Sequence, residues 1–130
     1  MNNLKLHHIG VATRNIKKEF EVFKVIGYRQ TSDIFIDEIQ KIKGIFIEAQ
    51  NQPRLELLEN LHNEGPLTSY LKKGNKFYHF AYETENIEKD FYEFVSLGAI
   101  PVVKITNATY FKKICFFMMK NMMLVELVEL

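Results

Sequence analysis

The chain has almost no cysteine, no surplus of either charge and no long apolar run, and each shortage removes a class of protein. A single cysteine, Cys115, forbids an internal disulfide and fits a reducing compartment. Lysine and arginine number 17 against 16 aspartates and glutamates, a formal net charge of +1. So even a balance argues against nucleic acid or an anionic membrane as partner, while leaving room for a small anionic ligand. No apolar stretch reaches the ~18 residues that a membrane-crossing helix needs, and no charged-then-apolar leader opens the sequence. A cytoplasmic location is therefore expected. Low-complexity segments are missing as well. The remaining composition, 47% hydrophobic and 25% charged in 130 residues, is that of one globular domain.

What the chain does contain is itself, twice. At an offset of 71, His8/His79, Thr13/Thr84, Asn15/Asn86, Ile16/Ile87, Lys18/Lys89, Phe20/Phe91, Phe23/Phe94 and Gly27/Gly98 are identical, eight identities in the 21 positions from His8 to Tyr28. Average residue usage gives roughly one or two by chance. At an offset of 70, Leu55-Glu56-Leu57-Leu58-Glu59 echoes as Val125-Glu126-Leu127-Val128-Glu129. Each copy thus carries a histidine near its start and a glutamate near its end.

Periodicity gives both copies one plan. A strand from Leu4 to Thr13 is followed by a helix with Asn15 (or Thr13) as N-cap, an Ile16/Phe20/Phe23 stripe and Gly27 as its stop. Strands are expected over Tyr28–Phe35 (weakly), Lys43–Glu48 and Arg54–Glu59, the last two turning at Gln50-Asn51-Gln52-Pro53. A short helix begins at Pro66 and closes at Gly74. The second copy has a strand over Lys76–Thr84 and a helix capped by Asn86 and ended by Gly98. Strands follow near Pro101–Ile105, Tyr110–Met118 and Met122–Glu129. The expectation is a single α+β domain of two tandem βαβββ modules, about 1–62 and 76–130, joined by a linker and short helix at about 63–75, with curved mixed sheets forming one cup.

Alternation along the strands then singles out four side chains. If Ile9/Val11, Leu55/Leu57, Phe80/Tyr82 and Val125/Leu127 cover the helices, His8, Glu56, His79 and Glu126 face the other way. One buried histidine, or one strand glutamate, is usually structural; four at matched places in two copies are a candidate metal site. Two imidazoles and two carboxylates suit a divalent ion such as Zn, Ni, Co or Mn. In octahedral geometry they leave two positions open, as Lewis-acid catalysis requires, whereas a structural zinc site is closed at four ligands and favours cysteine.

This duplicated plan with His8, Glu56, His79 and Glu126 resembles the vicinal oxygen chelate superfamily, which includes glyoxalase I (lactoylglutathione lyase) and methylmalonyl-CoA epimerase. The segments His7-His8-Ile9-Gly10-Val11-Ala12, Arg54-Leu55-Glu56-Leu57-Leu58-Glu59-Asn60-Leu61 and Tyr78-His79-Phe80-Ala81-Tyr82-Glu83 are most similar to the epimerase branch. The resemblance implies a lyase or isomerase that abstracts a proton α to a carbonyl, with the enediolate stabilised on the metal. It implies Glu126 as the base, and a homodimer acting on an acyl-CoA or a glutathione adduct. Two positions depart from the epimerases. Glu56 stands where many have glutamine, as in bacterial glyoxalase I, and Ile39 stands where they have a second basic glutamate. Glu38, one residue away, is the candidate for that second base, although a one-residue shift in a strand reverses the face.

Three other activities on this fold are weighed. Glyoxalase I has the same ligand set, but its usual turn before the last glutamate is replaced by Lys120-Asn121-Met122-Met123. An extradiol dioxygenase uses two histidines and one glutamate, so Glu56 would block a position that oxygen needs. A non-catalytic binding protein of the bleomycin-resistance type would have no use for four ligands. Of the remaining residues, Cys115 between apolar neighbours is expected to be buried and structural, His7 structural and His62 solvated. Met118, Met119, Met122 and Met123 are expected to fill core. Arg14, Lys41, Lys43, Lys72 and Lys73 read as solvated charges, some of which a CoA or glutathione tail would need.

Overall fold

A computed structural model describes residues 3–130. Among these, nine strands and three helices make an α+β fold. The chain divides into a first unit, His8–Tyr78, and a second made of residues up to His7 together with His79–Leu130.

In the first unit the strands are β1 (Lys5–Thr13, from His8 onward), β2 (Arg29–Gln30), β3 (Phe35–Asp37), β4 (Ile42–Glu48) and β5 (Leu55–Asn60); the helices are α1 (Ile16–Ile26) and α2 (Thr68–Lys72). The sheet order is β2-β4-β5-β1, with β3 also on β4. β1 and β5 are parallel and the other pairs antiparallel. Ile9 and Val11 of β1, Leu55 and Leu57 of β5 and Ile45 and Ile47 of β4 pack with Ile16, Phe20 and Phe23 of α1, as the alternation and the helical stripe require. The opposite face is partly covered too: Ala12, Ile42 and Leu58 pack against Leu67, Tyr70 and Leu71 around α2.

The second unit holds β6 (Phe77–Glu83, from His79 onward), α3 (Ile87–Ser96), β7 (Ile100–Asn107), β8 (Lys113–Met118) and β9 (Leu124–Glu129) in the order β6-β9-β8-β7. Again the central pair, β6 and β9, is parallel. Ile87, Phe91 and Phe94 of α3 close a core with Cys115, Phe117, Leu127 and, from the start of the chain, Leu4.

The helix starts are built alike. Asn15 Oδ1 accepts from Lys18 N at 3.0 Å and Asn86 Oδ1 from Lys89 N at 3.1 Å, so both asparagines are N-caps. A second acceptor comes from far along the chain. Glu59 Oε1 takes Ile16 N at 2.9 Å, and Glu129 Oε2 takes Ile87 N at 3.1 Å. Each carboxylate neutralises an orphan donor at the positive end of a helix. Gly27 ends α1 with φ +112°, a left-handed conformation that residues with a Cβ avoid.

Two expected strands are shorter than the pattern predicts. Tyr28–Phe35 breaks into β2 and β3 because Ser32 Oγ accepts Phe46 N at 2.9 Å, so a hydroxyl replaces a ladder carbonyl there. The first copy therefore has four strands after its helix. Tyr110–Met118 begins only at Lys113. Before it, Phe111 is buried and sets its ring edge-on to His7 at 5.1 Å, which gives His7 its packing role.

Candidate metal centre

The register of β1 and β5 places Gly10 opposite Glu56, so His8, two residues earlier, lies on the same face as Glu56. His8 Nε2 and Glu56 Oε1 are 3.0 Å apart. Both are buried, His8 at 0% and Glu56 at 6% exposure. Phe46 of β4 pairs directly with Glu56 and sets its ring edge-on to His8, with centroids 5.2 Å apart. Phe35 stacks on Phe46 in turn, at 5.6 Å. Gly44 makes room for that stack, since a Cβ there would stand 2.8 Å from Phe35 Cζ.

The second unit makes the same arrangement independently. Ala81 pairs with Glu126 across β6 and β9, which puts His79 on the glutamate's face. His79 Nε2 and Glu126 Oε1 are also 3.0 Å apart, at 2% and 6% exposure. Phe116 of β8 pairs with Glu126 and meets the His79 ring at 5.1 Å and 90°. Phe46 and Phe116 are the residues that sequence reading missed. The signal was present, because they too are identical at the offset of 70.

A carboxylate buried this far must be neutralised, either by a protonated imidazole or by a bound cation. The spacing of each pair, 3.0 Å, suits a hydrogen bond and equally two ligands of one cation. Two adjacent ligands of an octahedral ion, each about 2.1 Å from it, stand about 3.0 Å from one another. A nitrogen and a carboxylate oxygen are also a donor set that first-row divalent ions accept. His8, Glu56, His79 and Glu126 are four buried side chains of ligand type.

Glu38 lies in the turn between β3 and β4 and is exposed. Its neighbour Asp37 is buried, and Asp37 Oδ1 accepts from Ile39 N and Gln40 N at 3.0 Å each, which shapes that turn. Asp37 pairs with Ile42, which pairs with Asn60, so the turn lies four residues beyond Glu56 along the ladder, about 13 Å. Cys115 is fully buried, and burial first, then the charge of Glu126, pushes its thiol up to about 12. It is an inert core residue. Met122 and Met123 are exposed instead of filling core, and His62 is exposed as expected. Among the described residues no helix is long and apolar enough to cross a membrane.

Comparison with known proteins gives the class. Residues 7–116 match the family described as the Glyoxalase/Bleomycin resistance protein/Dioxygenase superfamily, and the chain belongs to that superfamily. The match ends before β9, so Glu126 lies beyond it. Among curated proteins none matches. Several solved structures share the fold. A hypothetical protein from Bacillus halodurans C-125 superposes with a TM-score of 0.87 at 23% identity, over 99% of this chain and 96% of that one. Methylmalonyl-CoA epimerase from Mycobacterium tuberculosis superposes with a TM-score of 0.83 at 20% identity, over 95% and 86%. Methylmalonyl-CoA epimerase from Streptomyces coelicolor, in complex with 2-nitronate-propionyl-CoA, gives 0.82 at 20% identity, over 98% of both chains.

Proposed function

We propose that this protein is a divalent-metal enzyme that removes a proton α to a carbonyl, most like methylmalonyl-CoA epimerase and acting on an acyl-CoA. The observation that carries the proposal is the buried His–Glu pair made once in each unit with one spacing of 3.0 Å. His8, Glu56, His79 and Glu126 together would hold one ion, Zn, Ni, Co or Mn by their chemistry. When bound, the ion supplies positive charge that stabilises negative charge developing on the substrate's carbonyl oxygen. Likeness of fold to two epimerases supports the CoA substrate, and a homodimer is part of the same reading.

Glu126 is the proposed base. Its carboxylate is held against His79, pairs across the ladder with Phe116 and is buried. Glu38, the other carboxylate that the sequence offers, is favoured less, because it is exposed in a turn. Glu56 supports a second reading. A glutamate in that position favours glyoxalase I chemistry, the same proton abstraction on a glutathione hemithioacetal.

The test is proton exchange in deuterated water, followed by NMR, with one metal loaded. Exchange at the α-carbon of 2-methylmalonyl-CoA is expected. Turnover of the methylglyoxal–glutathione hemithioacetal with none of the CoA ester would move the assignment to glyoxalase I. Protein purified without added metal should contain about one equivalent, and a metal-free protein that gains none on incubation would sink the site itself.

A further inference from the structure

Arg14, Lys43 and Lys72, scattered through the sequence, line one pocket of about 450 Å³ in the first unit. It sits where β1 and β5 end, at Thr13 and Asn60, beside α2. Its wall is built. Asn60 accepts from Leu67 N at 3.1 Å and donates to Thr68 Oγ1 at 3.1 Å, and Thr68 Oγ1 also accepts from Gly65 N at 3.0 Å. Those bonds pin the loop that carries His62. Arg14 Nη2 donates to Leu71 O at 3.1 Å, which fixes the guanidinium over α2 with further donors to spare.

The charges are unevenly spent. Lys43 pairs with Glu59 at 3.1 Å, and Glu59 is also held by Ile16 N. Arg14 and Lys72 make no ion pair among the described residues. Two cations therefore face the pocket against one remaining carboxylate, Glu64.

The duplication supplies an internal control. The second unit has a pocket of about 990 Å³ that shares this corner, lined by Thr84 and Glu129 where the first has Thr13 and Glu59, although it extends along α3 through Asn86, Lys89 and Asp90. Glu85 stands at the counterpart of Arg14 there. Four carboxylates, those of Glu83, Glu85, Asp90 and Glu129, line it with three lysines. The two recesses therefore differ in charge, the first cationic and the second anionic.

We propose that the first unit's pocket binds a phosphate group. On the acyl-CoA reading above, on which this source of the ligand rests, it is the phosphate at the nucleotide end of the thioester. A guanidinium held by Leu71 O and an ammonium lining the same pocket are the chemistry that recognises phosphate. The volume lies within the ~300–1,000 Å³ of small-molecule sites. The pocket begins three to four residues beyond Glu56 on β5, about 10–13 Å along the strand, a span that the pantetheine arm of CoA bridges.

The experiment is an amide-NMR titration of the metal-loaded full chain with adenosine 3′,5′-bisphosphate and, separately, inorganic phosphate. Saturable shifts at Arg14, His62 and Lys72 are expected with the bisphosphate. Arg14→Glu, which installs the charge of the second copy, should weaken that binding at least tenfold while metal content stays constant. Arg14→Gln, milder on folding, should weaken it in the same direction. Inorganic phosphate binding as tightly as the bisphosphate would support the pocket as a free-phosphate site and overturn the CoA source. Absence of shifts there, or equal affinity in both variants, would overturn the proposal. No turnover is required, so phosphate binding without acyl-CoA exchange sinks only the epimerase reading, and exchange without phosphate binding sinks only this one.

Discussion

Replacing Glu59 with alanine separates two roles that neighbouring glutamates play on one strand. Glu59 Oε1 accepts from Ile16 N at 2.9 Å, and its other oxygen pairs with Lys43 at 3.1 Å. The charged hydrogen bond is worth about 1.5–3 kcal/mol, and a carboxylate at a helix N-terminus about 0.3–1 kcal/mol. The Lys43 pair is partly exposed and adds ~0.5 kcal/mol or less. These effects overlap, so Glu59→Ala should destabilise the protein by about 2–3 kcal/mol. At about 3–5 °C per kcal/mol for a chain of this size, thermal unfolding should occur about 6–15 °C lower. Glu129→Ala should act the same way through Ile87 N. Neither side chain lies on the face of Glu56 and Glu126, so both variants should keep their metal. Glu56→Ala and Glu126→Ala should lose it. The assay is differential scanning calorimetry of the metal-free proteins beside elemental analysis of the loaded ones. Equal metal loss from all four variants would refute the face assignment, and an unchanged melting temperature in Glu59→Ala would refute the capping role.

Four further outcomes follow from three residues. With its thiol pushed up to about 12, Cys115 should resist alkylation at pH 8, where roughly one thiol in 10⁴ is ionised, and react fully in denaturant. The same shift has a sign: the unfolded thiol ionises first, near 9, so stability should fall as pH rises from there toward 12. Glu38→Gln should leave proton exchange and metal content unchanged, whereas a loss of ~10²-fold or more would show that the turn carries it to the substrate. Leu57→Ala, at a fully buried position on β5 in the core under α1, should cost about 2–5 kcal/mol in urea unfolding.

Much of this was legible because the duplication repeats each local signal. Asn15 and Asn86 cap their helices as the motif requires, and alternation put His8 beside Glu56 and His79 beside Glu126. The broken strand at Tyr28–Phe35 was not legible. It depends on the Ser32 hydroxyl reaching Phe46 N, a partner 14 residues away that no local pattern names. The work of Glu59 and Glu129 was hidden for the same reason, since their helix partners lie 43 and 42 residues distant. Alternation could say which way they point but not what they meet. Phe46 and Phe116 lie within expected strands, but nothing local marks them. Their contact with the imidazoles appears once the antiparallel register sets each opposite a glutamate.

The division of β1 between the two units bears on how the chain is made. Residues 8–78 are continuous, so everything that the first unit needs has been synthesised once Tyr78 is added. The second unit is different: its core takes in Leu4, and Phe111 packs on His7 across 104 residues of chain. That closure joins segments more than 100 residues apart, the kind of long-range contact that forms slowly. During synthesis Leu4 and the first three residues of β1, Lys5 to His7, must wait without their partners while the rest of the strand is already paired. A chain truncated between about 80 and 110 residues would carry a complete first unit preceded by Leu4 and Leu6 without their partners, open to a chaperone or to another such chain.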